Sequence, residues 1–382
     1  MSKQKLLRRL FSWHAYIGLI LGTIYLIVSI SGATVVYVNE LTEWAYGDNL
    51  KVSPICGKAP ISYDKMYALA RKEYPYVQYH VVGKDTEHEN RAYSLAGVKP
   101  HLHQLWSPGL QYDLAYVDPY SEKIIYRSNS YGYHDFFHWL IGLHAYLQLG
   151  DGGEFFISFL ALAMLGSLIT GTILYRKSFF RVLFFRAKFK WSTRKTIFAN
   201  IHRIVGTWAL LINILIFFSG FYLYKSYWST AWWKNTSVNG ISYHPQNAQL
   251  YNPIKGISLD SLARITQEKI PELTLQSIAV ASDSTKIISL VGISSEKLFG
   301  SYDNYIMVNY KTDGTLMQIE YKKWKDLSAS EKWDNINWGI LHTGWGLGNI
   351  GKAIWCLMGF MPSVLSLSGF IMWWNKKSKK NK

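Results

Sequence analysis

The sequence is poor in cysteine and in acidic residues. It has 2 cysteines in 382 residues, Cys56 and Cys356, and 25 acidic against 41 basic side chains. Two cysteines are too few for a disulfide framework, and we expect no disulfide between them. The basic loop at 176–201 has no glycine-rich nucleotide fingerprint. We therefore predict no flavin or nicotinamide domain within this chain.

Charged side chains are missing from the centres of four apolar runs. Each run has roughly the 20 residues that a helix needs to cross about 30 Å of hydrocarbon. The first run resembles a cleaved signal peptide, but the second half of the chain repeats it, so we expect it to be retained. The four runs, which we interpret as transmembrane helices, are 16–38, 155–175, 204–224 and 353–374.

The basic residues are concentrated in three segments. Segments 1–9, 176–203 and 376–382 hold 18 of the 41 lysines and arginines, whereas the long segments 39–152 and 225–349 are close to neutral. The positive-inside rule therefore places both termini and the middle loop in the cytoplasm, and both long segments outside. A net charge of +16 that is distributed in this way argues against a nucleic-acid partner.

The two halves of the chain repeat each other. A histidine at the start of the first and third runs is followed by a glycine after 18 residues, and a histidine before the second and fourth runs is followed by one after 27 residues. Eighteen residues make five helical turns, so that histidine and glycine share one helix face. A repeat this long indicates a duplicated domain. The matched positions are His14 and His202, Gly32 and Gly220, His144 and His342, and Gly171 and Gly369.

The long segments also match. Each begins with a helix that a serine caps and a proline ends, at 61–75 and 257–271, and continues with strand-like stretches and turns. We predict one α+β module in each half, built from one helix against an antiparallel sheet. The predicted fold class is an integral membrane protein with four transmembrane helices, formed by duplication of two, and two extracytoplasmic modules.

The predicted order of segments follows from these patterns. It is a cytoplasmic lead (1–13), a first transmembrane helix (14–38), a first module (39–132), an interfacial helix (133–150), a second transmembrane helix (153–175), a basic cytoplasmic loop (176–201), a third transmembrane helix (202–225), a second module (226–335), an interfacial segment (336–349), a fourth transmembrane helix (350–374) and a basic cytoplasmic tail (375–382).

The matched histidines are the candidate functional residues. Histidine is costly inside a membrane, yet four of them recur near predicted membrane boundaries, where the alternative is an ordinary interfacial histidine. We predict that His14 meets His202 on the cytoplasmic side and that His144 meets His342 on the outer side. Two imidazoles that meet across a bundle suit axial ligation of haem iron.

The four glycines would then give a flat macrocycle room beside each pair. Zinc is the alternative metal, but it would need further ligands that the inner level does not offer. His138 is the alternative outer ligand, and together with His134 it could contact a haem or a substrate. Covalent haem attachment is excluded because neither cysteine lies in a Cys-x-x-Cys-His motif.

These features resemble the PepSY-associated transmembrane-helix family, also described as iron-regulated membrane proteins, which includes bacterial ferric siderophore reductases. The resemblance rests on the helix starts at Trp13-His14 and Ile201-His202, the Ser-Gly pairs, the Val117-Asp-Pro-Tyr-Ser turn and the Leu-His stretches. It implies an inner-membrane reductase with two b-type haems, His14 with His202 and His144 with His342. Such a protein would accept electrons from a quinol or a cytoplasmic reductase and reduce a ferric siderophore in the periplasm.

Two other functions fit parts of the sequence. PepSY modules are associated with peptidase inhibition, so the chain could be a cofactor-free membrane-anchored regulator or binding protein, which would leave the matched histidines unexplained. A haem or siderophore transporter subunit is the second alternative. We favour the electron conduit over a transporter because none of the four runs indicates a broken helix.

Overall fold

The chain folds, in a computed structural model, into a helical bundle and an antiparallel sheet. The residues that the structure describes are 2–75, 77–86, 90–98, 112–127, 136–228, 254, 256–281, 287–298, 302–320, 328–329 and 338–378. The helices are α1 (Lys3–Val35), α2 (Val38–Tyr46), α3 (Tyr63–Glu73), α4 (Phe136–Tyr146), α5 (Gly150–Leu183), α6 (Arg194–Trp208), α7 (Leu210–Leu223), α8 (Leu259–Lys269), α9 (Trp338–Thr343) and α10 (Gly348–Ser378). The strands are β1 (Tyr79–Gly83), β2 (Tyr93–Val98), β3 (Tyr112–Val117), β4 (Ile124–Arg127), β5 (Leu273–Ala281), β6 (Ile287–Leu298), β7 (Tyr302–Lys311) and β8 (Leu316–Glu320).

Among the residues that the structure describes, the three helices α1, α5 and α10 are long and apolar enough to cross a membrane. In the described part of the chain, α6 and α7 pass the same test only as a pair, and they are bent by 67°. The architecture is therefore that of a membrane protein with three candidate spans, or four if the bent pair is one span.

The bend between α6 and α7 lies at Ala209, inside the predicted third span. The Asn213 side-chain amide donates to the Ala209 carbonyl at 3.0 Å, and this carbonyl also accepts the backbone N–H of Asn213 at 2.9 Å. A side chain that enters the hydrogen-bond ladder in this way is a common cause of helix bending. The expectation of unbroken helices, which we used against a transporter, is wrong at this point.

Helices α1 and α5 begin earlier than the apolar runs indicate, as do α6 and α10. Ser2 caps α1 by accepting the N–H of Lys5 at 3.4 Å, so α1 begins inside the predicted cytoplasmic lead. Helix α5 begins at Gly150, so the glycine-rich stretch at 150–153 forms its first turn. Glycine is needed there because a Cβ on Gly153 would lie 1.8 Å from the Tyr146 carbonyl oxygen. The glycines thus allow α4 and α5 to join through a tight turn.

Helices α1 and α10 pack through small and hydroxyl-bearing residues. The Ser29 hydroxyl donates to the Gly359 carbonyl at 2.5 Å, and the Ser366 hydroxyl donates to the Gly22 carbonyl at 2.7 Å. Burial of apolar surface does not drive helix association in lipid, so close packing and interhelical hydrogen bonds do. These contacts join the first half of the bundle to the second.

The eight strands form one antiparallel sheet in the order β4-β3-β2-β1-β5-β6-β7-β8. At its centre β1 pairs with β5, from Tyr79 opposite Ala281 to Gly83 opposite Ser277. Each half contributes one helix and four strands, but the two predicted modules share this sheet and one buried core. Fully buried members of that core from the two halves are Met66, Leu95, Leu259, Ile278, Leu290 and Ile306.

Helices α3 and α8 cap each other. The Asp260 carboxylate accepts the N–H groups of Tyr63 and Asp64, both at 3.0 Å. In return, the Asp64 carboxylate accepts the N–H of Leu259 at 2.7 Å and the hydroxyl of Ser258 at 2.5 Å. Each carboxylate therefore satisfies free amides at the start of the other helix. The exchange ties the two halves together at equivalent positions.

Asp260→Ala is expected to destabilise the sheet region by about 1–3 kcal/mol, because it leaves two helix amides unsatisfied. Burial raises the pKa of Asp260, but hydrogen bonds from the amides of Asp64 and Tyr63 outweigh burial, so the net pKa lies below its usual 3.8. The stabilisation is therefore complete above the usual carboxyl pKa, and it is lost as the pH falls through the depressed one. Hydrogen exchange of the Tyr63 and Asp64 amides in the detergent-solubilised protein measures the effect.

The control for this prediction is Glu268→Ala. Glu268 lies on the same helix, and its side chain is 65% exposed. We expect it to leave exchange at both amides unchanged. If Asp260→Ala exchanges no faster than this control at neutral pH, the reciprocal capping has no energetic role.

Candidate functional site

The structure brings the four matched histidines together as two pairs inside the bundle. The ring centres of His14 and His202 are 6.2 Å apart, and those of His144 and His342 are 5.9 Å apart. His14 lies on α1 and His202 on α6, whereas His144 lies on α4 and His342 on α9. Each pair therefore takes one histidine from each half of the chain.

The Nδ1 atom of each ring lies within hydrogen-bond distance of a backbone carbonyl on a neighbouring helix. A carbonyl can only accept, so each Nδ1 carries the proton and each Nε2 keeps a free lone pair. Among the described residues, no hydrogen bond involves Nε2 of any of the four. The bonds run from His14 to Ser167 at 3.1 Å, from His202 to Leu365 at 3.1 Å, from His144 to Val28 at 2.8 Å and from His342 to Ile216 at 3.0 Å.

A repeated motif lies beneath each ring. In all four cases the accepting carbonyl belongs to the residue four positions before one of the predicted glycines, and that glycine follows a serine or threonine. We call the hydroxyl residue, its glycine and the carbonyl together a Ser/Thr-Gly motif. The four motifs are Ser31-Gly32 under His144, Thr170-Gly171 under His14, Ser219-Gly220 under His342 and Ser368-Gly369 under His202.

The glycines of these motifs touch the imidazole rings. A Cβ on Gly32 would lie 2.4 Å from Cε1 of His144, and one on Gly171 would lie 3.1 Å from Cε1 of His14. The corresponding distances are 3.1 Å for Gly220 to His342 and 3.7 Å for Gly369 to His202. The glycines were predicted to make room for a macrocycle. In the structure the space beside each of them is taken by a histidine ring.

The sequence contains a signal for the complete motif. The Ser-Gly pairs at Ser31 and Ser219 predict half of it, and Thr170 and Ser368 are their counterparts before Gly171 and Gly369. All four glycines follow a hydroxyl residue. The chemical equivalence of serine and threonine would have revealed the motif.

Tryptophans hold α9, and with it His342, against α10 and α1. The Trp355 indole donates to the carbonyl of Leu341, next to His342, at 2.9 Å. The Trp345 indole donates to the carbonyl of Val36, the residue that follows α1, at 2.8 Å. Gly344 has the left-handed φ of +71°, and a Cβ there would lie 2.5 Å from the Trp355 ring. This close packing fixes the position of a short helix that has only six residues.

The structure does not describe the side chains of the two remaining candidate histidines. His134 lies outside the described residues. His138 belongs to the backbone of α4, and its side chain lies outside the described part of the chain. Their suggested contacts with a haem or a substrate stay predictions.

The donor set fits a metal with two axial imidazoles. A metal held by two imidazole nitrogens at about 2 Å each puts the ring centres about 6 Å apart, close to both observed distances. In the described ranges, no group of three or more histidine, cysteine or acidic side chains comes together. A protein zinc site needs three or four such ligands, whereas a haem supplies its own four equatorial nitrogens. The pairs therefore suit haem better than a bare ion.

Fold and site together define a membrane protein with an internally duplicated bundle, two paired-histidine sites and a sheet shared by both halves. The family model of the PepSY-associated TM region matches residues 11–376, which is nearly the whole chain. The chain belongs to this family. A search of the curated proteins finds no match.

Proposed function

We propose that the protein is a di-haem electron conduit that reduces a ferric siderophore outside the cytoplasmic membrane. The observation that supports it is the two matched histidine pairs, whose ring centres are 6.2 and 5.9 Å apart and whose Nε2 atoms make no hydrogen bond among the described residues. A haem b would be held by His14 and His202, and a second one by His144 and His342. Bound haem supplies a one-electron carrier whose potential depends on its axial ligands and surroundings.

The topology of the proposal has four spans, with α6 and α7 as one bent span. Both termini and the basic loop lie on the cytoplasmic side of a bacterial inner membrane, because they carry the excess of lysine and arginine. The modules of the two halves, joined in one sheet, then lie in the periplasm. His14 and His202 form the inner pair, and His144 and His342 form the outer pair.

The chain separates the two pairs by a distance that one cofactor does not span. His14 and Val28, whose carbonyl binds His144, are 14 residues apart in α1. This spacing corresponds to about 21 Å along the helix. Two carriers, one near each surface, would divide the path across the membrane into shorter steps.

An apolar cluster fills the bundle between the pairs. Tyr25 and Phe217 meet edge to face there, with ring centres 5.2 Å apart, and both are more than nine-tenths buried. Leu160 is fully buried in the same cluster. Such packing excludes water from the middle of the membrane, so that electrons could pass between the pairs while ions could not.

The proposed reaction moves one electron per turnover. A quinol or a cytoplasmic reductase would donate it near the inner pair, and a ferric siderophore near the outer pair would accept it. One quinol releases two electrons and two protons, so it would serve two ferric ions in succession. Reduction of Fe(III) to Fe(II) weakens its binding to hard oxygen ligands, so iron would be released for uptake. This assignment of donor and acceptor comes from the family resemblance.

The experiment is an absorption spectrum of the purified protein, oxidised and dithionite-reduced, with quantification by pyridine haemochrome. We expect the bands of low-spin haem b at two haems per chain. Ferrioxamine added to the reduced protein under argon should reoxidise the haems and yield Fe(II) that ferrozine traps. A colourless protein would overturn the proposal and favour a cofactor-free PepSY binding protein. Haem that ferrioxamine does not reoxidise would overturn the siderophore substrate alone.

A further inference from the structure

The hydroxyl of each Ser/Thr-Gly motif bonds to the carbonyl that accepts the histidine proton. Each hydroxyl lies three residues after that carbonyl, on the same helix. Carbonyl, hydroxyl and ring therefore form one small network at each histidine. The hydroxyl-to-carbonyl distances are 3.0 Å for Thr170 to Ser167, 3.1 Å for Ser219 to Ile216, 3.0 Å for Ser368 to Leu365 and 3.2 Å for Ser31 to Val28.

Three of the four hydroxyl oxygens also reach the ring itself. The distance to Nδ1 is 3.3 Å from Thr170 to His14 and 3.1 Å from Ser219 to His342. It is 3.0 Å from Ser368 to His202. The Nδ1–H at these three rings is thus shared between a carbonyl and a hydroxyl oxygen, and at His14 the Ser167 hydroxyl also lies 3.3 Å from Nδ1.

Ser31 differs from its three counterparts. Its hydroxyl bonds to the carbonyls of Ile27 at 2.8 Å and of Val28 at 3.2 Å. No hydrogen bond joins it to His144, whose Nδ1–H is donated to the Val28 carbonyl alone among the described residues. The His144–His342 pair therefore contains one ring with a hydroxyl acceptor and one without.

The hydroxyl of a motif is oriented by the hydrogen bond that it donates to a main-chain carbonyl. The Ser219 hydroxyl donates to the Leu215 carbonyl at 2.7 Å, and the Thr170 hydroxyl donates to the Gly166 carbonyl at 2.9 Å. A hydroxyl has one hydrogen and two lone pairs. When the hydrogen goes to a main-chain carbonyl, the lone pairs are left to accept the Nδ1–H of the ring.

We infer that Thr170, Ser219 and Ser368 are positioning residues that tune the axial histidines of the proposed haems. A second acceptor on Nδ1–H fixes the ring tautomer and makes Nε2 a stronger electron donor to the metal. A stronger donor stabilises ferric over ferrous iron and lowers the reduction potential. This inference rests on the proposed function.

The test compares Ser219→Ala with Ser31→Ala, which remove equivalent hydroxyls at the same histidine pair. Spectroelectrochemical titration of the purified holoprotein gives the two midpoint potentials. Ser219→Ala should raise the potential of the haem held by His144 and His342, and Ser31→Ala should change it less, because the Ser31 hydroxyl reaches the Val28 carbonyl but not the ring. The other haem should keep its potential in both variants. Ser219→Thr, which restores a hydroxyl, should return the raised potential toward the wild-type value.

A second variant addresses the other pair. Ser368→Ala should raise the potential of the haem held by His14 and His202 alone, so the inference can be tested even if Ser219→Ala does not fold. Equal shifts of the potential in Ser31→Ala and Ser219→Ala would overturn the positioning role. An unchanged potential in both Ser219→Ala and Ser368→Ala would also overturn it. In those cases two bound haems in every variant would leave the proposed function intact. Absence of haem from the wild-type protein would overturn the proposed function itself.

Discussion

His342→Ala is expected to lower the haem content from two per chain to one. The variant removes one of the two nitrogens at its pair and leaves His144 without a partner across the bundle. In the described part of the chain, no third metal-binding side chain lies with this pair. The remaining haem should keep the spectrum and the potential of the wild-type haem held by His14 and His202, which lies about 21 Å away.

His202→Ala is the matched variant. It should remove the other haem and leave the one at His144 and His342, so that the two single variants have complementary spectra. His342→Met offers a conservative test, because a thioether can replace an axial imidazole and raises the potential of the haem. Haem content and midpoint potentials of the purified variants are the measurements. Two unchanged haems in both alanine variants would show that these histidines are not the ligands.

Gly32→Ala is expected to disrupt the same site without removing a ligand. The new methyl group would lie 2.4 Å from Cε1 and 2.6 Å from Nδ1 of His144, far inside contact distance. The ring is not free to turn away, because its Nδ1–H is bonded to the Val28 carbonyl at 2.8 Å. The ring must move, and overpacking of this kind typically costs about 1–3 kcal/mol. We expect loss of the haem held by His144 and His342.

Alanine substitutions at the four motif glycines should reduce the haem content to different degrees. The new methyl group would lie 3.1 Å from the histidine Cε1 at Gly171 and Gly220, which predicts a smaller loss of haem than in Gly32→Ala. At Gly369 this distance is 3.7 Å, which predicts near-normal haem binding in Gly369→Ala. Gly18→Ala on α1 and Gly166→Ala on α5 are controls, since nothing lies within 4 Å of either new methyl group. Haem content measured on all six variants tests the order. Haem loss in Gly18→Ala as severe as in Gly32→Ala would refute it.

The sequence predicts the histidine pairs well because duplication and helical periodicity are local signals. Eighteen residues from His14 to Gly32 remain on one face of α1, whatever the rest of the chain does. The same count from His202 to Gly220 runs from α6 into α7 across the bend at Ala209, and Gly220 lies against His342. The existence of the membrane helices follows equally from composition, since lipid allows few alternatives.

The features that the sequence did not predict depend on contacts between distant segments. The pairing of β1 with β5 joins strands that are nearly 200 residues apart, and no pattern within either strand specifies it. The exchange of carboxylates between Asp64 and Asp260 is likewise visible only once α3 and α8 are adjacent. The bend at Ala209 coincides with a hydrogen bond from the Asn213 side chain, and asparagine is a residue type that many straight helices contain.

The contacts between the halves have the form of a twofold interface. Equivalent residues meet at His14 and His202, equivalent strands pair antiparallel, and equivalent aspartates exchange caps. In a homodimer such positions must be identical, because one gene encodes both. Fusion of the two copies in one chain removes that constraint. Ser31 and Ser219 illustrate the result, since the same residue type now has different contacts on the two sides of one site, and selection can change either side alone.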